Sequence, residues 1–280
     1  MYATDFEYDG IKLSDFGMMI CTFDSSSGIE TVSSGADITF NTVKPTGSNR
    51  FKYVNSKYEE SYSKPFHICK NSCNLKGDIY LMANEVSGLQ RWLSRKDGFH
   101  PFRPIQDDLK DTFWNATFSC KEILIAGKIV GLELTMHTDS SYAYLDINSI
   151  SYSPIPGNPF SLYDMSDEVG YIYPRITIRC NDNGKIELIN DMEINKNRKT
   201  LITNVTQGET ITLDGENKII TSITSSGEER TQEDLANNFN FYYPRIFNTY
   251  NNRENVYTLS SDSVSCDIIF SYNPIVKVGL

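Results

Sequence analysis

The sequence runs to 280 residues, of which 39% are hydrophobic, 12% aromatic and 22% charged, with 17 Tyr and 15 Phe. At roughly 100–200 residues per domain this predicts two domains, each able to bury a core, and the aromatic load excludes a disordered chain. The net charge of −10, with 15 cations against 19 anions in residues 1–150 and 11 against 17 in 151–280, excludes a phosphate-neutralising surface for tight nucleic-acid binding.

No run approaches the ~18 apolar residues that a membrane helix requires. The opening Met1–Gly10 has neither the basic nor the apolar stretch of a secretory signal. A soluble protein made in a cytoplasm is expected, with its six cysteines (21, 69, 73, 120, 180 and 266) reduced.

β-signals dominate along the chain. Ile38 to Thr42 alternates with the period of two that a half-buried strand needs. One helix is predicted next: Asn84 as its cap, then Val86, Leu89, Trp92 and Leu93 on one stripe, with Arg91, Arg95 and Lys96 late and Gly98 as a stop. That stripe is expected to pack across a sheet rather than to expose Trp92. Phe113–Ile125 and Ile129–Met136 are long apolar runs joined by Ala126-Gly127-Lys128, a hairpin turn for which Gly127 can supply a positive φ. Tyr142 to Asn148 alternates again.

Three prolines and a glycine between Ser151 and Pro159 read as a stiff connector. They place the predicted boundary between a domain of residues 1–150 and one of 151–280. The second part shows about eight short strands at roughly 8–12-residue spacing, the pattern of an antiparallel sandwich. Hairpins are predicted at Asn183-Gly184, between Arg175–Cys180 and Lys185–Ile189, and at Asp214-Gly215, between Ile211–Leu213 and Lys218–Ile220. A shorter helix is predicted over Thr231–Asn237. Tyr173-Pro-Arg-Ile176 recurs as Tyr243-Pro-Arg-Ile246, which reads as two strand starts rather than a repeat.

Signs of chemistry are sparse. There is no phosphate-binding Gly-rich loop, no H-E-x-x-H and no nucleophile elbow. His67-x-Cys69-x3-Cys73 offers soft-metal ligand types on one strand face, but no second Cys/His pair at zinc-site spacing completes it, so buried thiols are expected. His67, His100 and His137 are isolated in sequence, which suits surface or packing roles. A calcium loop at Asp182 fails because Gly184 and Ile186 stand where oxygen ligands are needed. The acidic pairs Glu59-Glu60, Asp107-Asp108 and Glu228-Glu229 read as solvated runs, not as carboxylates facing across a glycosidase cleft. The strand aromatics suit a core or subunit interface better than a sugar platform. No catalytic, cofactor-binding or metal-binding residue is assigned, no cofactor is expected, and no enzyme activity is predicted.

Two segments carry a resemblance. The opening Phe6-Glu-Tyr8-Asp-Gly10-Ile-Lys-Leu13-Ser-Asp15-Phe16-Gly17, running on to Phe23, resembles the start of the distal tail proteins of long-tailed bacteriophages. Gly98-Phe-His-Pro101-Phe-Arg-Pro104 resembles the segment after that family's N-terminal-domain helix, and the two-part layout fits as well. The resemblance implies a mainly β chain: an N-terminal barrel- or sandwich-like domain with one helix, then a galectin-like antiparallel sandwich. It implies a hexameric ring formed by the N-terminal domains, with the C-terminal domains facing outward. The implied partners are other copies of itself, the tail tube protein, the tail-tip protein and receptor-binding proteins. DNA would pass through the ring without specific binding, no membrane would be entered, and the location would be the virion tail. The family supplies no catalytic residues, and residues 151–280 lack the His and Trp of true galectins. The alternative is a carbohydrate-binding sandwich that acts in host-surface attachment.

Overall fold

The computed structural model describes residues 3–23, 38–58, 61–71, 78–195 and 198–279. The chain forms two compact units, residues 1–145 with 276–280, and residues 146–275.

In the first unit the opening segment forms β1 (Phe6–Tyr8), β2 (Ile11–Lys12), a single 3-10 turn and β3 (Met18–Cys21). Then come β4 (Ile38–Val43), β5 (Lys52–Tyr58), β6 (Ser63–Lys70), α1 (Ala83–Leu93), β7 (His100–Pro104), β8 (Thr112–Ile125), β9 (Lys128–Thr138) and β10 (Ala143–Leu145). The principal sheet runs β2-β1-β7-β8-β9-β6-β3. Alternate residues of β8, among them Trp114, Ala116 and Phe118, point into the core, as period-two patterning requires. At the β8–β9 turn Ala126 and Gly127 have φ of 50° and 77°, the pair of left-handed residues that lets a tight turn follow the strand twist. Gly131 is required for another reason: a Cβ there would lie 2.4 Å from the Ile68 carbonyl oxygen and 2.8 Å from the Phe23 ring.

Helix α1 lays Val86, Leu89, Trp92 and Leu93 on this core. Trp92 stacks on Phe16 (4.7 Å between ring centroids) and on Phe6 (5.7 Å), and its indole N–H donates to the Tyr8 carbonyl at 3.1 Å. The helix is therefore a core element, as its stripe predicts. Its ends differ from expectation. Met82 is the N-cap and Asn84 lies inside the helix, because the Glu85 carboxylate reaches back to accept the Met82 N–H at 2.7 Å. The helix stops at Leu93 rather than near Gly98, with Ser94 donating its hydroxyl to the Phe118 carbonyl at 2.9 Å. Arg95 and Lys96 thus fall beyond the last turn.

The second unit contains β11 (Asn148–Tyr152), β12 (Pro159–Tyr163), β13 (Gly170–Ile172), β14 (Arg175–Cys180), β15 (Gly184–Asn190), β16 (Thr200–Val205), β17 (Thr210–Asp214) and β18 (Ile219–Ile223). It continues with α2 (Gln232–Asn238), β19 (Ile246–Asn248), β20 (Glu254–Leu259) and β21 (Cys266–Tyr272). A five-stranded sheet, β11-β21-β14-β17-β18, and a four-stranded sheet, β12-β20-β15-β16, enclose one core, with β13 and β19 paired separately. Ile176, Ile178, Ile268 and Phe270 from the first sheet share that core with Ile186, Leu188, Tyr257 and Leu259 from the second. This is an antiparallel β-sandwich.

Two local readings change here and one holds. Asn183-Gly184 does not close a hairpin: β14 is already flanked by β17 and β21, so β15 crosses to the other sheet and pairs with β16 and β20. Asp214-Gly215 does begin a hairpin, with β17 pairing β18 from Asp214↔Ile219 onward. The proline-rich stretch is not the joint between the units. It lies inside the second unit as the crossing from β11 in one sheet to β12 in the other, where Gly157 donates its N–H to the Leu259 carbonyl at 2.7 Å. Prolines suit that crossing because they make no demand for ladder hydrogen bonds.

Candidate functional site

The most conspicuous surface is the ribbon formed by β4 and β5, a two-stranded sheet of its own in register from Ile38↔Tyr58 to Val43↔Lys52, with a bulge at Asn41/Thr42. Phe40 is 65% exposed, Phe51 68%, Tyr53 62% and Val54 60%. Large apolar side chains lie along both strands, so neither face of the ribbon is a purely polar outer face. Tyr58 at its base packs edge-on against Tyr142 at 4.9 Å. The ribbon spans Ile38–Tyr58, and those residues include Lys44, Arg50, Lys52 and Lys57 and no Asp or Glu, within a chain of net charge −10. A lone two-stranded ribbon is at best marginally stable in water, and a patch of this kind marks an interaction surface.

The residues weighed for metal or acid–base chemistry do not converge. His67 and Cys69 lie on β6, with His67 3.9 Å from Glu133, which in turn accepts from Lys121 at 2.9 Å. The Cys21 thiol is paired with Cys69, and burial holds its pKa far above the usual thiol range. Cys73 lies outside the described residues, as does the Glu59-Glu60 pair. Among the described residues no cluster of three His, Cys, Asp or Glu side chains is placed to hold a metal.

His100 sits 3.0 Å from Asp97 and 3.7 Å from Asp9, and Arg95 is ion-paired to both carboxylates. The Arg95 hydrogen bond, with that of His100, holds Asp97 well below the ordinary carboxylate range. His137 is exposed and lies 3.3 Å from the Ser119 hydroxyl. Asp107, Asp108, Glu228 and Glu229 are solvated, as their runs predict.

Sequence reasoning missed the buried charges of the second unit. Glu209 is fully buried, accepting from Arg230 at 2.9 Å, from the Ser222 hydroxyl and from the Thr206 backbone and hydroxyl. Burial pushes its pKa up, but those hydrogen bonds outweigh burial and hold it below the usual glutamate range. Glu193 lies in a small, water-sized pocket lined also by Arg198, Arg245, Tyr242, Tyr243 and Tyr257. Arg245 makes a two-pronged pair with Glu193. Arg198 Nε lies 3.3 Å from the same carboxylate, an ionic contact whose N–H is not aligned for a hydrogen bond.

The surrounding rings carry cations. Arg245 lies over Tyr171 (4.4 Å) and Phe247 (4.8 Å), and Arg198 over Tyr242 (5.1 Å). Lys218 lies over Tyr173 (3.0 Å) and Tyr243 (5.2 Å). The two Tyr-Pro-Arg-Ile segments are thus joined through one lysine, and each leads into a strand, Pro174 directly before β14 and Pro244 two residues before β19, as expected. One carboxylate held by two guanidiniums is poorly placed to act as a base. The pocket is a brace of charges and rings.

Both units match known families of one kind. Residues 1–140 match the family described as phage tail protein N-terminal domain, and residues 142–272 the one described as phage tail C-terminal domain. The chain belongs to this phage tail protein family. Among solved structures it is similar to the Dit protein of phage SPP1, described as a paradigm of hub adsorption apparatus in Gram-positive infecting phages. That match has 10% identity and a TM-score of 0.64 and covers 96% of this chain and 98% of the other. A chain of the phage P2 baseplate in its activated conformation is also matched, at 9% identity and a TM-score of 0.49, over 100% of both chains. None of the curated proteins compared matches the sequence. This phage tail protein therefore shares its fold with a distal tail protein, as the opening motif implies. Among the described residues no helix is long and apolar enough to cross a membrane.

Proposed function

We propose that this phage tail protein is a distal tail component of the virion that acts by assembling, not by catalysis. Copies of the first unit close into a hexameric ring joining the tail tube to the tail-tip and receptor-binding proteins. The observation that carries this reading is the β4–β5 ribbon. It is a basic, apolar arm on an acidic chain, and a second copy offers both apolar cover and opposite charge. A closed ring needs this kind of unlike contact, one patch of each subunit meeting a different patch of its neighbour. The overall acidity suits a channel through which DNA slides without adsorbing.

The carbohydrate-binding alternative is weaker. The exposed rings around the second unit's pocket each carry a cation over one face, which makes them braces rather than free stacking platforms.

Light scattering and negative-stain microscopy test the proposal. The expected result is a six-fold particle with a central pore, alone or once tube and tip partners are added. A chain that remains monomeric at high concentration, and also with both partners present, overturns it.

A further inference from the structure

Cys180 is the last residue of β14 and Cys266 the first of β21, and the two stand directly opposite each other in the ladder. Both are free thiols, each 1% exposed, and both point into the sandwich core. The phase of the ladder decides how closely they approach. Asn181 donates its N–H to the Ser265 carbonyl at 2.9 Å across β14–β21. Cys180, one residue earlier, turns its N–H the other way, to the Glu209 carbonyl at 2.9 Å, and its own carbonyl accepts from Gly208 at 2.8 Å. Cys180 and Cys266 therefore occupy a non-hydrogen-bonded antiparallel position. Such residues have Cα atoms ~4.5 Å apart and side chains at their closest, inside the ~4.4–6.8 Å range that disulfides span.

We infer that Cys180 and Cys266 are a latent disulfide site that closes across β14 and β21 when the tail protein meets an oxidising, disulfide-containing medium. The inference stands on the ladder alone and does not depend on ring formation.

In the closed sandwich the thiols are inert. Burial pushes each up to about 12, so neither forms a thiolate at neutral pH. Reaction requires the end of the ladder to fray, and both residues lie at strand ends beside the exposed Asn181 and the partly exposed Ser265. In the opened state one cysteine thiolate attacks a small disulfide such as oxidised glutathione. The small molecule's S–S bond breaks, a mixed disulfide forms, and one glutathione thiolate leaves and takes up a proton. The second cysteine thiolate attacks the protein sulfur of that mixed disulfide, forms the Cys180–Cys266 bond and releases the second glutathione. Two protein thiols are oxidised, one small disulfide is reduced, and two protons pass to the departing thiols. A phage tail is built inside a reducing cell and works outside it, so the bond would be absent during folding and present in service.

The other described thiols are placed differently. Cys21 faces His67 and meets Cys69 only on the diagonal, and Cys120 lies against the Ser94 hydroxyl.

The test incubates the full chain with oxidised glutathione at a temperature just below its unfolding midpoint, then alkylates it in denaturant and maps the peptides by mass. Expected is loss of Cys180 and Cys266 from the alkylated pool together, with one linked peptide pair lighter by two hydrogens and restored by dithiothreitol. Closure of a loop this long should raise the melting midpoint of the second unit by roughly 5–15 °C. In Cys266→Ala, Cys180 should retain the glutathione adduct, because nothing resolves it. The inference is overturned if both cysteines remain alkylatable, or if they are found linked to other cysteines or to glutathione rather than to each other. Should Cys266→Ala fail to fold, the peptide map of the unaltered chain decides alone.

Discussion

Two parts of the first unit are built from the same residue types and have opposite fates. In its core Phe6, Phe66, Phe102 and Phe118 meet at centroid distances of 5.1 to 6.2 Å, all of them buried. On the β4–β5 ribbon Phe40, Phe51 and Tyr53 are more than half exposed. The core rings stabilise the fold that carries them, whereas the ribbon rings find no comparable burial among the described residues. Aromatic content therefore does two jobs here. If the proposed assembly holds, burial separates residues that fold the chain from residues that join it to a neighbour, and the separation can be measured one phenylalanine at a time.

The sharpest way to break the comparison is to truncate a core ring. Phe102→Ala removes a fully buried side chain that touches Phe6, Phe66, Trp114 and Phe118, and should destabilise the first unit by about 3–5 kcal/mol in urea unfolding. A loss below ~1 kcal/mol would show that these contacts are not what holds the unit together.

A polar counterpart lies in the second unit. Arg230→Ala leaves Glu209 charged, buried and without the cation that pairs with it, and should cost about 3–5 kcal/mol. The same pair sets a pH dependence. Glu209 has a lowered folded-state pKa, so its contribution is fully present above the unfolded glutamate value and is lost as pH falls through the folded value. Stability of the second unit should decline on acidification below about pH 4.3, and Glu209→Gln should flatten that decline. An unchanged acid limb in Glu209→Gln would assign the dependence to other carboxylates.

A smaller effect is expected at Gly131. Its substitution by Ala sets a methyl group against the Ile68 carbonyl and the Phe23 ring, and should destabilise by about 1–3 kcal/mol, the range for overpacking. If the midpoint stays within error, β6 and β9 have more freedom to separate than their register suggests.

The sequence discloses these regions unequally. Strands whose side chains alternate against a core, such as β8, are legible because burial is written into every second residue. Helix α1 is legible from its stripe, but its cap is not, since Glu85 reaching back to Met82 outcompetes a conventional cap at Asn84. The Asn183-Gly184 turn has hairpin chemistry, yet the strand it follows has both edges occupied, a fact of topology that no local window holds. The proline run is ambiguous for the same reason, since a crossing between two sheets needs the same residues as a link between domains. Glu209 and Glu193 are hidden from a local window because the arginines that hydrogen-bond them, Arg230 and Arg245, lie 21 and 52 residues away. The ribbon's alternation from Ile38 to Thr42 was read, but alternation signals a strand and says nothing about what covers it.

That gap makes the ribbon the place where the smallest stability effect carries the largest consequence. Phe40→Ser, Phe51→Ser and Tyr53→Ser combined remove apolar surface that is mostly in water already, so the unfolding free energy of the isolated chain should fall by no more than ~0.5 kcal/mol per substitution. Self-association measured by light scattering should nevertheless be lost. Raising the salt concentration should weaken association of the unaltered chain as well, because the arm's four cations would lose their attraction to an acidic neighbour. If the triple variant assembles as before, the ribbon's exposed rings serve some other contact and the ring closes through different surfaces. If it unfolds as readily as Phe102→Ala, the ribbon belongs to the core after all, and the division between folding residues and assembly residues fails.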